Sequence, residues 1–209
     1  MNHLYAQKKK SGDGDSVEKA PASSVGTFVE FSEKNRIHVG KIVAVEHKAN
    51  GGARYTVADD GGKQFHVSEK AVSFSMATPN SPGAAGKLFS EFVEAQAISE
   101  SDLREKLDVT PDLVEMVWEE CANAEESNDM IVTPKRFIEL VHAHTASAIE
   151  TYMAWRLLKA DMAHVFFKEM KHNGRIVSFK AKAKKAVEAA KITYCSDPKH
   201  ETEWEFCFV

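Results

Sequence analysis

Four short alternating runs before residue 75, helical periodicity from residue 87 onward and one strong late hairpin signal predict an α+β protein. The expected arrangement is a small β-barrel followed by a mainly helical winged-helix domain. The strand-like runs are VGTFVEF (25–31), RIHVGKIVAVEH (36–47), ARYTVAD (53–59) and KQFHVSEKAVSF (63–74). All are rich in β-branched and aromatic residues. Turn signals separate them at Glu33-Lys34-Asn35, Asn50-Gly51-Gly52 and Asp60-Gly61-Gly62, where Asn and Gly accept positive φ cheaply. Four or five strands in so short a span suit a barrel whose walls alternate inward and outward.

Residues 1–24 precede the barrel with almost no apolar periodicity and read as a disordered lead. They lack the apolar core of a secretory signal, and they carry acids but no arginine, which suits an organelle transit peptide poorly. The barrel is expected over 25–75 and a Pro- and Gly-containing linker, MATPNSPGAAG, over 76–86. A helical and winged-helix domain follows over 87–194, then a C-terminal extension over 195–209.

Within the helical part, Leu88, Phe89, Phe92, Val93 and Ala97 recur at helical spacing over 87–98. Ser99 and Ser101 are candidate N-caps of a short helix ending at Leu107. Thr110-Pro111 and Thr133-Pro134 each open a helix, the hydroxyl accepting an orphan amide and the proline giving up no needed donor. A further helix is expected over 146–158. The runs AHVFFKEM (163–170) and RIVSFKA (175–181) then read as strands joined at His172-Asn173-Gly174, and a last helix is expected over 182–191.

The 209 residues are 43% hydrophobic and 28% charged, enough for one large domain or two small ones. No apolar run approaches the roughly 18 residues of a spanning helix, so a soluble protein is expected. Cys121, Cys195 and Cys207 are odd in number and widely spaced, which predicts no disulfide framework or metal clamp and a reducing compartment. The net charge of −4 hides a strong segregation. Residues 91–129 hold thirteen acids against Arg104 and Lys106, a balance of −11; residues 175–191 reach +5 and residues 31–54 reach +3. The basic charge thus lies on the wing, its trailing helix and the barrel, which are elements suited to approach a phosphate backbone. The bland reading of the lysine-rich helix is a solvated face. Tyr55, Phe65 and Phe74 could stack bases, but in so small a barrel most must fill the core.

Little looks catalytic. Asp59-Asp60 precedes Gly61-Gly62 and reads as a turn. His142 and His144, two apart on a helix, are expected to point to different sides, and Cys121 sits among acids that would not activate it. No phosphate loop, nucleophile elbow, dinucleotide fingerprint or zinc spacing occurs, so no cofactor, metal or small-molecule substrate is expected.

In order and spacing, GTFVEF (26–31), GKIVAVE (40–46), Val132-Thr133-Pro134, IETYMAWRLL (149–158), Val165-Phe166-Phe167 and the basic helix at 182–191 carry a resemblance. The chain from Val25 to Lys191 resembles the N-terminal region of organellar and cyanobacterial-type ribonuclease II-like (RNB family) exoribonucleases. The resemblance implies an SH3-like barrel, then a winged helix, ahead of a catalytic domain that degrades RNA from its 3′ end with magnesium held by clustered aspartates. No such cluster occurs here before Val209, so as it stands the chain is expected to be no enzyme but a noncatalytic RNA-binding module. The expected RNA contacts are Arg36, Lys41, Arg54, Arg175, Lys180, Lys182, Lys184 and Lys185. The alternative is a structural subunit of a larger organellar complex, in chloroplast or mitochondrion, held to protein partners by Trp204, Phe206 and Phe208.

Overall fold

A computed structural model describes residues 23–49, 52–124 and 130–197. Five strands come first, β1 (Phe28–Glu33), β2 (Arg36–His47), β3 (Ala53–Ala58), β4 (Gln64–Ser68) and β5 (Val72–Met76), with one turn of 3₁₀ helix, Glu69–Ala71, before the last. They form one antiparallel sheet in the order β4-β3-β2-β1-β5. Lys34 and Asn35, both at positive φ, make the two-residue turn between β1 and β2. The Asp59 carboxylate accepts the Lys63 N–H at 2.8 Å, and Gly62 adopts φ +79°, so the Asp59-Asp60-Gly61-Gly62 signal is a backbone device.

The expected barrel is not closed by hydrogen bonds, because β4 and β5 remain the two edges. It is nonetheless strongly curled. In a flat sheet β1 and β4 would lie roughly 14 Å apart, three strand spacings, yet the rings of Phe31 and Phe65 meet at 5.3 Å. They and Val29, Ile42, Tyr55, Val57, Val67 and Val72 form a core belonging to the sheet alone. Tyr55 and Phe65 are therefore spent on packing.

Seven helices and three short strands follow among the described residues: α1 (Pro82–Ala97), α2 (Glu100–Leu107), α3 (Pro111–Ala122), β6 (Ile131–Val132), α4 (Pro134–His142), α5 (Ala148–Leu158), α6 (Asp161–Phe166), β7 (Phe167–His172), β8 (Arg175–Ala181) and α7 (Lys184–Cys195). The expected caps are made. Ser99, Thr110 and Thr133 side chains accept the N–H groups of Asp102, Leu113 and Arg136. Ser147 adds a capping box with Glu150. Asn173 and Gly174, at φ +51° and +83°, turn β7 into β8, and β6 pairs with β8 to complete a three-stranded sheet of order β6-β8-β7.

Three boundaries depart from expectation. Helix α1 begins at Pro82, so only five residues of the anticipated 76–86 linker lie between β5 and α1. Residues 163–166 are helical, and the strand starts at Phe167: Met162, Ala163, Val165 and Phe166 are all buried, as an inserted helical turn allows and a two-faced strand does not. The last helix starts two residues late and runs on to Cys195. Cys121 is buried and outside any disulfide while Cys195 is disulfide-bonded, so three reduced cysteines are not what the structure has.

The sheet and the helices share a second core. Strand β1 alternates between the two. Val29 and Phe31 enter the sheet's own core, whereas Phe28, with Val39 and Met76, joins Phe92, Tyr152, Trp155 and Phe179 in the helical one. At the centre of this contact the carboxylate of Glu30, 3% exposed, accepts the Tyr152 hydroxyl at 2.6 Å and the Ser73 hydroxyl at 2.6 Å. Phe74 of β5 lies 5.0 Å from the Tyr152 ring and 5.1 Å from Trp155.

Candidate nucleic-acid interface

The eight cations singled out by sequence do not form one surface. Arg175, the first residue of β8, is 9% exposed. Its guanidinium donates to the Ser23 hydroxyl and to the Glu69 carbonyl, both at 3.3 Å, and lies 4.0 Å from the Glu69 carboxylate. It ties the wing tip to the sheet, so the structure places Arg175 in a buried clasp and not on the open surface where the sequence put an RNA contact. Lys182 is also turned inward. Its ammonium donates to the carbonyl of His164, and burial holds its pKa below the usual lysine value. Its own carbonyl accepts the Trp118 indole N–H at 2.8 Å, fixing the strand exit.

On the sheet, cross-strand register decides how much free charge each cation represents. Arg36 stands directly opposite Glu33, and Arg54 directly opposite Glu46, so each is exposed beside an acid. Lys41 faces Ala58 and Phe28 and has no acid across from it.

The remaining three cations gather at the base of the wing. Lys180 lies between the buried Phe179 and Ala181 on β8 and so points to the opposite, outer face of the sheet. Directly across from it on β7 is Lys168, which is exposed. Lys184 and Lys185, also exposed, open α7 only three residues beyond the end of β8. Among the described residues no carboxylate pairs with any of the four, whereas Lys171 pairs with Glu169 at 3.0 Å and Lys191 with Glu115 at 2.6 Å. Two like charges directly opposite on a ladder repel. The Asn-Gly turn alone would place Lys168 opposite Phe179. A bulge at Val177 shifts the ladder by one residue and brings the two lysines face to face. Lys168 is thus the residue that sequence reasoning missed, and the bulge is why.

The other candidates are committed elsewhere. His142 Nε2 lies 2.7 Å from the Leu107 carbonyl, and His144 Nε2 lies 3.0 Å from Glu150. Their rings stack at 5.6 Å instead of diverging, because Ala143 between them takes a left-handed conformation that ends α4. Among the described residues no three His, Cys, Asp or Glu side chains gather as metal ligands, and no helix is long and apolar enough to cross a membrane. Trp204, Phe206 and Phe208 lie outside the described residues.

A curled antiparallel sheet packed on a helical unit that closes in a three-stranded wing defines an α+β protein with a winged-helix domain. Residues 102–186, from α2 into the first turn of α7, match the family model of the ribonuclease II winged helix domain. No curated protein and no solved structure gives a significant match to the chain.

Proposed function

We propose that this chain is a noncatalytic RNA-binding accessory module of the ribonuclease II type, holding RNA by its backbone at the base of the wing. The observation that supports it best is the facing pair Lys168 and Lys180, continued by Lys184 and Lys185. Four unneutralised cations at one end of a small sheet repel one another and are relieved by an anionic chain laid across them. Lys41 extends the basic set on the sheet, while Arg36 and Arg54, beside their acids, contribute less. The match to a ribonuclease II winged helix supports RNA as the anion.

The test is a fluorescence titration of labelled single-stranded RNA with the full chain over a range of KCl. Affinity falls steeply with salt, and Lys168→Glu combined with Lys180→Glu reduces the log–log slope by roughly 1.4, about 0.7 for each contact to a single strand. Binding indifferent to both salt and these changes refutes the reading.

A further inference from the structure

In a helix-turn-helix the second helix is the one that reads a groove, with the wing beside it. In this chain that pair is α4 and α5, joined by residues 143–147. Helix α5 cannot be presented to a groove, because from Ile149 to Leu158 no residue is exposed. Its coverings come from several directions. The ring of Phe92 on α1 meets Tyr152 edge-on at 4.6 Å. The Arg156 guanidinium reaches the carbonyls of Ala95 and Ile98 at the end of α1, where unpaired carbonyls collect. Phe74 covers Tyr152 and Trp155 from β5, and the Trp155 indole donates to the Ile176 carbonyl at 3.3 Å. The wing tip, through Arg175, is bound to the same sheet unit.

We propose that the helix-turn-helix of this winged helix is an intramolecular docking element: α5 and the wing tip together form the seat of the five-stranded sheet, and Glu30 and Tyr152 are its central polar contact. The two units then open and close as one cooperative body, and nucleic acid has no access to α5. Burial, followed by the negative charge of Glu30 and the hydrogen bond to it, raises the Tyr152 pKa far above that of an ordinary phenol, so Tyr152 remains a donor to the carboxylate. The rings of Phe74 and Phe92 pack against Tyr152 and shield the pair from water, and the Ser73 hydroxyl is the second donor to Glu30. The proposal stands whether or not the lysines at the wing base bind RNA.

Hydrogen exchange of the full chain, followed by mass spectrometry, tests it. Val57→Ala opens a hole in the sheet's private core, away from α5. It should speed exchange about tenfold or more in β1–β3, and by the same factor in α5. Acceleration confined to the strands would overturn the proposal. Should Val57→Ala fail to fold, Tyr152→Phe gives a milder probe. It leaves the Glu30 carboxylate short of a donor and should speed exchange about tenfold in both units, with a smaller effect in a Glu30→Gln background. Equal effects in the two backgrounds, or loss of protection in the helices alone, would count against it. Ala148→Glu, at the exposed first residue of α5, should leave binding to a short RNA duplex unchanged, and a marked loss would show that α5 reads nucleic acid after all.

Discussion

Replacing Arg175 by alanine should unfold the protein more readily while hardly touching its affinity for RNA. The guanidinium is 9% exposed and donates two long hydrogen bonds, to the Ser23 hydroxyl and the Glu69 carbonyl at 3.3 Å. Hydrogen bonds from a charged donor are each worth about 1.5–3 kcal/mol when well formed. At this length the lower end applies. The ion pair with Glu69 spans 4.0 Å to a side chain that is 45% exposed, so it adds little. Removing the side chain also leaves the Glu69 carbonyl without this donor. A loss of about 2–3 kcal/mol follows. Urea unfolding monitored by tryptophan fluorescence measures it as a lower midpoint with an unchanged slope. The RNA titration, run well below that midpoint, should show an unaltered salt slope, whereas loss of one phosphate contact lowers it by roughly 0.7. A variant of full stability with a reduced salt slope would refute the assignment of Arg175 to the fold.

Other consequences can be measured on the same protein. Gly40→Ala would place a Cβ 2.6 Å from both the Ala58 carbonyl oxygen and Val57 Cγ1; a backbone neighbour cannot step aside, so a cost of about 1–3 kcal/mol is expected in thermal unfolding. Ser147→Ala removes one half of the capping box and should cost about 1 kcal/mol. In that box the Ser147 backbone N–H, more than the Ser147 hydroxyl and His144, holds the Glu150 pKa below its ordinary 4.5. Its contribution is therefore complete above about pH 4.5 and disappears as pH falls through the lower folded value. Glu150→Gln should flatten the acid limb of the stability curve. Lys184→Glu with Lys185→Glu should weaken RNA binding without changing stability, since both are exposed and unpaired among the described residues.

Local chemistry was legible in the sequence, and long-range register was not. The Thr-Pro helix starts, the Ser99 cap, the Asn-Gly hairpin and the Asp59 turn are each settled by a few neighbouring atoms, and each appears where expected. Strand β6 escaped notice because two residues carry no periodicity, and they form a strand only by pairing with β8. The helical residues 163–166 look like strand because an apolar run buried on every side loses its period. The interface suffered most. Counting cations by segment treats Arg175 and Lys180 alike, although five residues along β8, about 17 Å, separate a buried clasp from an outward-facing charge. Register likewise places Arg36 and Arg54 beside acids while leaving Lys168 and Lys180 against each other.

Strand β1 imposes a further condition on how such a protein can change. Its even and odd residues answer to different environments, Phe28 and Glu30 to the helices and Val29 and Phe31 to the sheet's own interior. Slipping β1 by one residue against β2 and β5 would drive the Glu30 carboxylate among valines and phenylalanines and set Phe31 against the Tyr152 hydroxyl, emptying two interiors at one stroke. A chimaera that exchanges the first 76 residues for those of another protein would therefore have to carry a matched α5. The five-stranded unit and the winged helix can change only together along β1, where a one-residue slip disturbs both cores at once.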